Sequence, residues 1–275
     1  MPLLSVVTAT YRENPVFLRA CVESVLRQTF SDFELVIVTE PGETNLGYLA
    51  EAASSDKRVK ILKNEVKLGV SGSRNRAIVA GCGKYIAIVD GDDYCALNRF
   101  NKQIDFLEST PSVSVVGSNM CMVNEQGELL GVRRYPELHE NIKNKFLMRS
   151  CMAAPTVMLR KKAVVEIGLF DESLAKAEDS ELWLRFLAKG HKLHNLQEEL
   201  MYYRMRTQHN QRHGQQHWDN IYKARKKHNK NIWPGFPGAF SLAFYFFIAH
   251  LPGGALDFVL DSFIADRIRA IKKQP

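Results

Sequence analysis

The sequence holds no closely spaced pair of cysteines: Cys21, Cys82, Cys95, Cys121 and Cys151 are odd in number and widely scattered. That pattern excludes a disulfide framework and a zinc knuckle, and it fits a reducing, cytosolic compartment. Long apolar runs are missing as well. Residues 240–251 are apolar but fall short of the roughly 20 residues that span a bilayer, and Pro252-Gly253-Gly254 breaks the run. The N-terminus enters an apolar run at Leu3 without a basic flank or a small-residue cleavage pattern, so it does not read as a secretory leader. Internal repeats and low-complexity stretches are also lacking. The chain that remains has 275 residues, 45% hydrophobic and 24% charged, suited to one globular domain plus a tail.

The net charge of +7 is unevenly placed. Arg204, Arg206, Arg212, the lysines of residues 223–230, and Arg267, Arg269, Lys272 and Lys273 carry much of it, while the first 130 residues are mixed in sign. Such a run suits a solvated basic face, a membrane surface or an anionic acceptor. No nucleic-acid-binding motif accompanies it, so no nucleic acid is expected as a partner.

Residues 3–10 are apolar and β-branched, residues 16–26 repeat apolar positions at helical spacing, and residues 35–38 are apolar again: strand, helix, strand. Residues 59–62, 71–80 and 85–89 repeat the cycle, with Gly81 and Gly83 closing the helix. This alternation predicts a parallel sheet covered by helices, with ligands beyond the carboxyl ends of the strands. From residue 113 the pattern changes to strand-like pieces at 113–116 and 156–159, separated by stretches such as 138–148. Another helix starts near Asp179, carries Leu182, Trp183, Phe186 and Leu187 on one face, and stops at Gly190. Further on, Leu256, Val259, Leu260, Phe263, Ile264, Ile268 and Ile271 recur at helical spacing, which suits packing on the domain or lying in a membrane interface.

Asp90-Gly91-Asp92-Asp93 directly follows the all-apolar run 85–89, which places three carboxylates in one tight turn. Like charges that close repel unless a cation lies between them, and hard oxygens suit Mg2+ or Mn2+. The competing reading is an acidic turn capping a helix that begins near Asn98. The loop Gly69-Val70-Ser71-Gly72-Ser73-Arg74-Asn75 opens a helix, so its glycines and Arg74 could face phosphates or form an ordinary turn. Glu178-Asp179 begins the later helix, where acids serve either as a general base or simply as favourable charges at a helix N-terminus.

Together these pieces resemble family 2 of the inverting glycosyltransferases, over approximately residues 2–210. Leu4-Ser5-Val6-Val7-Thr8-Ala9-Thr10-Tyr11 looks like the family's opening strand. Ser24-Val25-Leu26-Arg27-Gln28-Thr29-Phe30 followed by Glu34-Leu35-Val36-Ile37-Val38 looks like its first helix and second strand. Asp90 to Asp93 match its metal motif, Glu178-Asp179 with Trp183-Leu184-Arg185 its base-bearing helix, and Tyr203-Arg204 its closing strand.

The resemblance implies a GT-A fold: an α/β, Rossmann-like mixed sheet flanked by helices, with a helical C-terminal extension. Residues 1–212 would form the catalytic domain, with a nucleotide-sugar and metal half at 1–112 and an acceptor half at 113–212. Residues 213–275 would form a basic, amphipathic extension. It also implies metal-dependent transfer of a sugar from a nucleotide-diphosphate donor, a UDP-sugar, to a hydroxyl of a saccharide or lipid-linked acceptor in surface polysaccharide biosynthesis. Ala9, Tyr11, Glu13, Glu40, Arg74 and Asp90 would border the nucleotide, Asp90 and Asp92 would hold Mn2+ or Mg2+, and Asp179 would be the base. Thr39 and Glu40 stand where the family usually carries an aspartate pair that reads uracil, and Glu40 can still accept from a base N–H. Glu178 and Trp183 are candidate acceptor contacts, although Trp183 shares a face with Leu187, which favours reading it as core. His209 is a candidate metal or phosphate contact. A peripheral contact with the cytoplasmic face of a membrane is expected through residues 240–273.

Two other readings stand beside this one. A nucleotidyltransferase making an activated sugar would place a glycine-rich basic loop after the first strand, where residues 8–15 contain no glycine and only Arg12. A catalytically silent relative acting as a binding protein would have no chemical reason to keep Asp90, Asp92 and Asp179.

Overall fold

The computed structural model describes residues 1–206 and 215–251. Its first half follows the alternation read from the sequence: β1 (Leu4–Thr10), α1 (Pro15–Leu26), β2 (Phe33–Thr39), α2 (Leu46–Ser55), β3 (Val59–Lys63), α3 (Gly69–Ala80) and β4 (Tyr85–Ile88). The second half holds β5 (Tyr94–Cys95), α4 (Arg99–Ser109), β6 (Val113–Val123), β7 (Leu129–Arg133), α5 (His139–Phe146), β8 (Met158–Arg160), α6 (Lys161–Glu166), α7 (Glu178–Ala188) and β9 (Lys192–Arg204). Helices α8 (Gln215–Ile232) and α9 (Phe236–His250) complete the described chain.

One nine-stranded sheet runs in the order β3-β2-β1-β4-β8-β6-β9-β5, with β7 paired to β6. Strands β1 to β4 are mutually parallel, whereas β8 pairs antiparallel with both β4 and β6, so the expected parallel sheet becomes mixed. Chain order reverses where β1 and β4 lie side by side, the kind of switch point at which open α/β sheets leave a crevice beyond their carboxyl ends. The acidic turn 90–93 begins two residues past the end of β4 and therefore opens into that crevice.

Successive side chains of a strand point to opposite faces, and the core divides accordingly. Val7, Val36, Val38, Ile86 and Ile88 pack with Ile78 of α3, Leu182, Trp183 and Phe186 of α7, and Phe146 of α5. Val6, Leu35, Ile37 and Ala87 pack on the other face with Leu18, Val22 and Val25 of α1 and Phe100, Ile104 and Leu107 of α4. Helix α1 starts cleanly because Asn14 Oδ1 accepts from Val16 N–H at 2.9 Å and Pro15 occupies the first turn. The end of β4 is pinned by Arg99, fully buried, whose Nη2 donates to the carbonyls of Ile88 and Val157, each at 3.1 Å.

Helices α8 and α9 form a hairpin joined to the body by buried polar contacts. Arg225 Nη2 donates to Phe146 O at 2.6 Å and Nη1 to Leu147 O at 3.0 Å, so a cation closes the C-terminal end of α5. The same guanidinium lies 3.9 Å from the centre of the Tyr245 ring. His228 Nε2 sits 2.9 Å from Glu181 Oε1, and Arg185 Nη2 donates to Glu181 Oε2 at 2.6 Å. Burial pushes the Glu181 carboxyl up, but the bonds from His228 and Arg185 outweigh it and hold the group below its ordinary value. Among the described residues no helix is long and apolar enough to cross a membrane.

Arg225→Leu is expected to strip the Phe146 carbonyl of its Arg225 donor, while Leu147 O keeps Ser241 Oγ at 2.6 Å, and to destabilise the protein by about 2–4 kcal/mol. A lower urea midpoint at unchanged slope checks this.

Candidate active site

Helix α3 is unusual in what it buries: Ser71, Ser73, Arg74 and Asn75 occupy its inner face beside Ala77 and Ile78. Each polar side chain serves a neighbouring element. Asn75 pairs with Phe170 in both directions, accepting from its N–H and donating to its carbonyl at 2.9 Å each, and also donates to Glu172 Oε1 at 2.8 Å. The loop leading to α7 is thereby stapled to α3. Ser73 Oγ donates to Glu40 Oε1 at 2.6 Å.

Arg74 joins the two acidic groups that lie about 90 residues apart in sequence. Its Nη2 donates to Asp90 Oδ1 at 2.6 Å, and its Nη1 to Glu178 Oε1 at 2.9 Å. Burial disfavours the guanidinium charge, but Asp90 and Glu178 outweigh it and hold Arg74 more firmly protonated than usual. The Arg74 side chain, expected to face phosphates, is 6% exposed and is taken up here by two carboxylates. Burial pushes the carboxyls of Glu178 and Asp179 up, and their mutual proximity raises Glu178 further. Asp179 Oδ1 accepts from Ser180 N–H at 2.6 Å. Ala177, immediately before this pair, adopts a left-handed conformation with φ 62°, a strained choice for a residue with a side chain.

In the turn after β4, the three carboxylates part company. Asp93 points inward and is fully buried, where its Oδ1 accepts from Arg204 N–H at 2.8 Å. Arg204 Nε in turn donates to Asp92 O at 3.0 Å, so the end of β9 clamps the turn. Asp90 faces Arg74, while Asp92 Oδ2 lies 3.0 Å from Arg206 Nη2. Arg206 also pairs with Glu13 Oε1. Burial, then Asp90, push the Asp92 carboxyl up to about 6, against the pull of Arg206.

Beside these groups lies a cavity of about 220 Å³ lined by Ala9, Thr10, Tyr11, Glu40, Lys67, Gly69, Val70 and Ser73. Tyr11 is 42% exposed, and the Lys67 ammonium stands 4.8 Å from its ring centre. Glu40 Oε1 is filled by Ser73, Asn64 and Leu68, whereas Oε2 accepts only Leu68 N–H at 3.0 Å. The Glu40 carboxylate therefore keeps capacity for one more donor.

The structure thus gathers Ala9, Tyr11 and Glu40 at one cavity, Asp90 and Glu178 on Arg74, and Glu13 and Asp92 on Arg206, with Asp179 next to Glu178 at the start of α7. Trp183 is corrected. It is fully buried among Leu182, Phe186 and the β-strand side chains, so it is core and cannot touch an acceptor. His209 lies outside the described residues. Sequence reasoning missed Arg206 and Lys67 as site groups, because a lone cation carries no periodic signal. It also missed Glu43, whose buried carboxylate accepts from Thr10 Oγ1, Arg12 N–H and Asn45 to shape the loop after β1.

A carboxyl that holds its proton more firmly folded than unfolded favours folding most below its unfolded value. The contribution is then lost as pH rises through the folded value. For Asp92 that window runs from the ordinary 3.8 to about 6. In EDTA, Asp92→Asn is expected to be more stable than the parent near pH 7 by roughly 1–3 kcal/mol, with a smaller loss as pH rises from about 4. Thermal midpoints measured across that range check it.

The family model for Glycosyl transferase family 2 matches residues 5–168. An uncharacterized glycosyltransferase, MJ1057 of Methanocaldococcus jannaschii, is 32% identical over 279 residues, covering 94% of this chain and 93% of its own. The O-antigen biosynthesis glycosyltransferase WbnJ of Escherichia coli is 30% identical over 220 residues, covering 77% of this chain and 83% of its own. The crystal structure of S. aureus TarS residues 1–349 in complex with UDP-GlcNAc superposes with a TM-score of 0.68 at 19% identity, covering 98% of this chain and 83% of that one. The mixed sheet, the crevice beyond β1 and β4 and the family match agree: the chain belongs to glycosyl transferase family 2, with the GT-A fold, and is a glycosyltransferase.

Proposed function

We propose that the protein transfers a sugar from a nucleotide-diphosphate donor, a UDP-sugar, to a hydroxyl of a saccharide or lipid-linked acceptor with inversion at the anomeric carbon. The observation that carries this reading is the Arg74 bridge, which sets the 90–93 turn and the N-terminus of α7 on either side of one guanidinium. The cavity lined by Ala9, Tyr11 and Glu40 would take the nucleoside, with Tyr11 against the base and Glu40 Oε2 accepting a base N–H. UDP-GlcNAc bound to TarS, which shares the fold, supports a UDP donor. The O-antigen role in WbnJ's name supports surface polysaccharide biosynthesis.

The donor set suits a hard divalent cation, Mn2+ or Mg2+. Asp92 offers carboxylate oxygen, is crowded by Asp90 and Glu13, and already draws a cationic partner in Arg206. Among the described residues no three His, Cys, Asp or Glu gather as a ready cage. Asp92, with Asp90 nearby, would hold the ion, and the donor's phosphates would supply further oxygens, as is usual for Mg2+ sites. Bound there, the ion would neutralise charge on the departing diphosphate.

The remaining work falls to the chain. Asp179 takes the proton of the acceptor hydroxyl while that oxygen attacks the anomeric carbon, and the bond to the diphosphate oxygen breaks on the opposite face. Burial lifts the Asp179 carboxyl above its ordinary value, and Ser180 N–H holds Oδ1, leaving Oδ2 to receive the proton. Glu178, tied to Arg74, fixes the helix N-terminus beside it.

A cytoplasmic, peripheral position on a membrane also belongs to this reading. Along α9, Phe236, Phe240 and Phe247 are 80%, 50% and 62% exposed, an apolar stripe on a helix too short to span a bilayer. Tyr222 of α8 borders that face, its ring centre 5.4 Å from Phe246, and Lys223, Lys226, Lys227 and Lys230 are exposed on the same helix. Exposed aromatic residues on one helix of the hairpin and exposed lysines on the other suit the headgroup layer of an anionic membrane.

Two measurements test the proposal. Calorimetric titration with UDP, GDP, CDP and dTDP, each with Mn2+ or EDTA, should show metal-dependent binding of UDP. Asp179→Asn should keep that binding and lose transfer by about a thousandfold or more. Loss of both would recast Asp179 as a structural residue. In sedimentation with phosphatidylglycerol vesicles, Phe240→Ser with Phe247→Ser should leave most of the protein in the supernatant, and unchanged pelleting would remove the membrane part.

A further inference from the structure

Two arginines lie close together at the end of β9, and they are used differently. Arg204 donates only to main-chain carbonyls, those of Asp92, Asn124 and Glu125. Its N–H goes to Asp93, so it is a strut. Arg206 instead spends its guanidinium on two carboxylates, Asp92 and Glu13, and is 24% exposed. Both pairs run through Nη2, and Nε is buried with no hydrogen-bond partner. The docked pose is therefore electrostatically favourable yet one hydrogen bond short.

We propose that Arg206 is a tethered counter-cation of Asp92 and Glu13, which competes with a divalent metal for these carboxylates and must leave both when metal enters. The inference rests on the reading of Asp92 as a metal ligand. Without a positive group, Asp90, Asp92 and Glu13 would repel one another at the mouth of the crevice. The guanidinium lowers that cost in the protein without metal. A divalent ion on Asp92 removes the need and adds repulsion, since three positive charges would then crowd the same oxygens. The tether matters because β9 and Arg204 fix the chain two residues earlier, so the guanidinium is always at hand to return. Metal alone should therefore bind weakly, and metal arriving with a donor's diphosphate should bind better, because the phosphates contribute oxygens that Arg206 does not block.

The test is titration of the nucleotide-free protein with Mn2+, followed by the electron paramagnetic resonance signal of the free ion. The parent is compared with Arg206→Gln, Arg206→Lys and Asp92→Ala, and thermal midpoints in EDTA establish that each is folded. Arg206→Gln should bind Mn2+ about tenfold tighter than the parent, the scale expected for removing one like charge from a partly exposed carboxylate pair. Arg206→Lys, which keeps the charge, should stay near the parent. In EDTA the Gln variant should melt lower than the parent, and Mn2+ should recover the difference. If Asp92→Ala abolishes Mn2+ binding while Arg206→Gln binds no tighter than the parent, the competition is refuted and the metal reading stands. If neither the parent nor Arg206→Gln takes up Mn2+, with or without UDP, both fall.

Discussion

The bridge made by Arg74 sets the geometry of the whole site. One buried guanidinium holds Asp90, at the end of the strand that opens the crevice, and Glu178, at the start of the helix that carries Asp179. Burial first, and the neighbouring carboxylates after it, push the carboxyls of Glu178, Asp92 and Asp93 up, and burial does the same to Asp179. Breaking such a buried pair typically costs several kcal/mol because it strands a charge. The geometry of α3 reflects the same need: it buries polar residues along a face where packing alone would place leucine, and Asn75 on that face fastens the loop that leads to α7.

Around this bridge, stability is given up locally and recovered at a distance. Ala177 sits in a left-handed conformation at the turn before the candidate base, and the acidic turn 90–93 concentrates charge at the end of β4. The recovery comes from elements outside the crevice. Arg99 and Arg204 hold the two ends of the acidic segment through main-chain carbonyls. The α8–α9 hairpin supports α7 from behind, through His228 on Glu181, Asn220 on the carbonyl of Lys176, and the contact of Ala177 with Ile221 and Tyr245. The same hairpin carries the exposed aromatic side chains of α9.

Much of this was legible in the sequence where a physical period exists. The apolar runs of β1, β2 and β4, the 17–18–21–22–25 spacing of α1, and the acids at the start of α7 mark these elements with little displacement of their ends. The acid turn is visible because charge rarely succeeds a wholly apolar strand without a reason. Less legible was α2, whose buried side chains are only Leu49 and Ala52, and β9, which runs through Gln197, Glu198 and Glu199 before its last buried residues. Trp183 could be read two ways until its neighbours were known. The carboxylate partners of Arg74 went unread because they lie 16 and 104 residues away. Arg206 was passed over as one more charge in a basic tail for the same reason: an ion pair between distant residues leaves no periodic trace.

Crystals grown with UDP and Mn2+ would decide between these assignments through an anomalous-difference map. One strong manganese peak is expected against the Asp92 carboxylate, with the nucleoside in the cavity of Ala9, Tyr11 and Glu40, and Arg74 still bridging Asp90 and Glu178. A manganese peak away from Asp92, or an Arg74 released from both carboxylates to bind the diphosphate, would overturn the assignment.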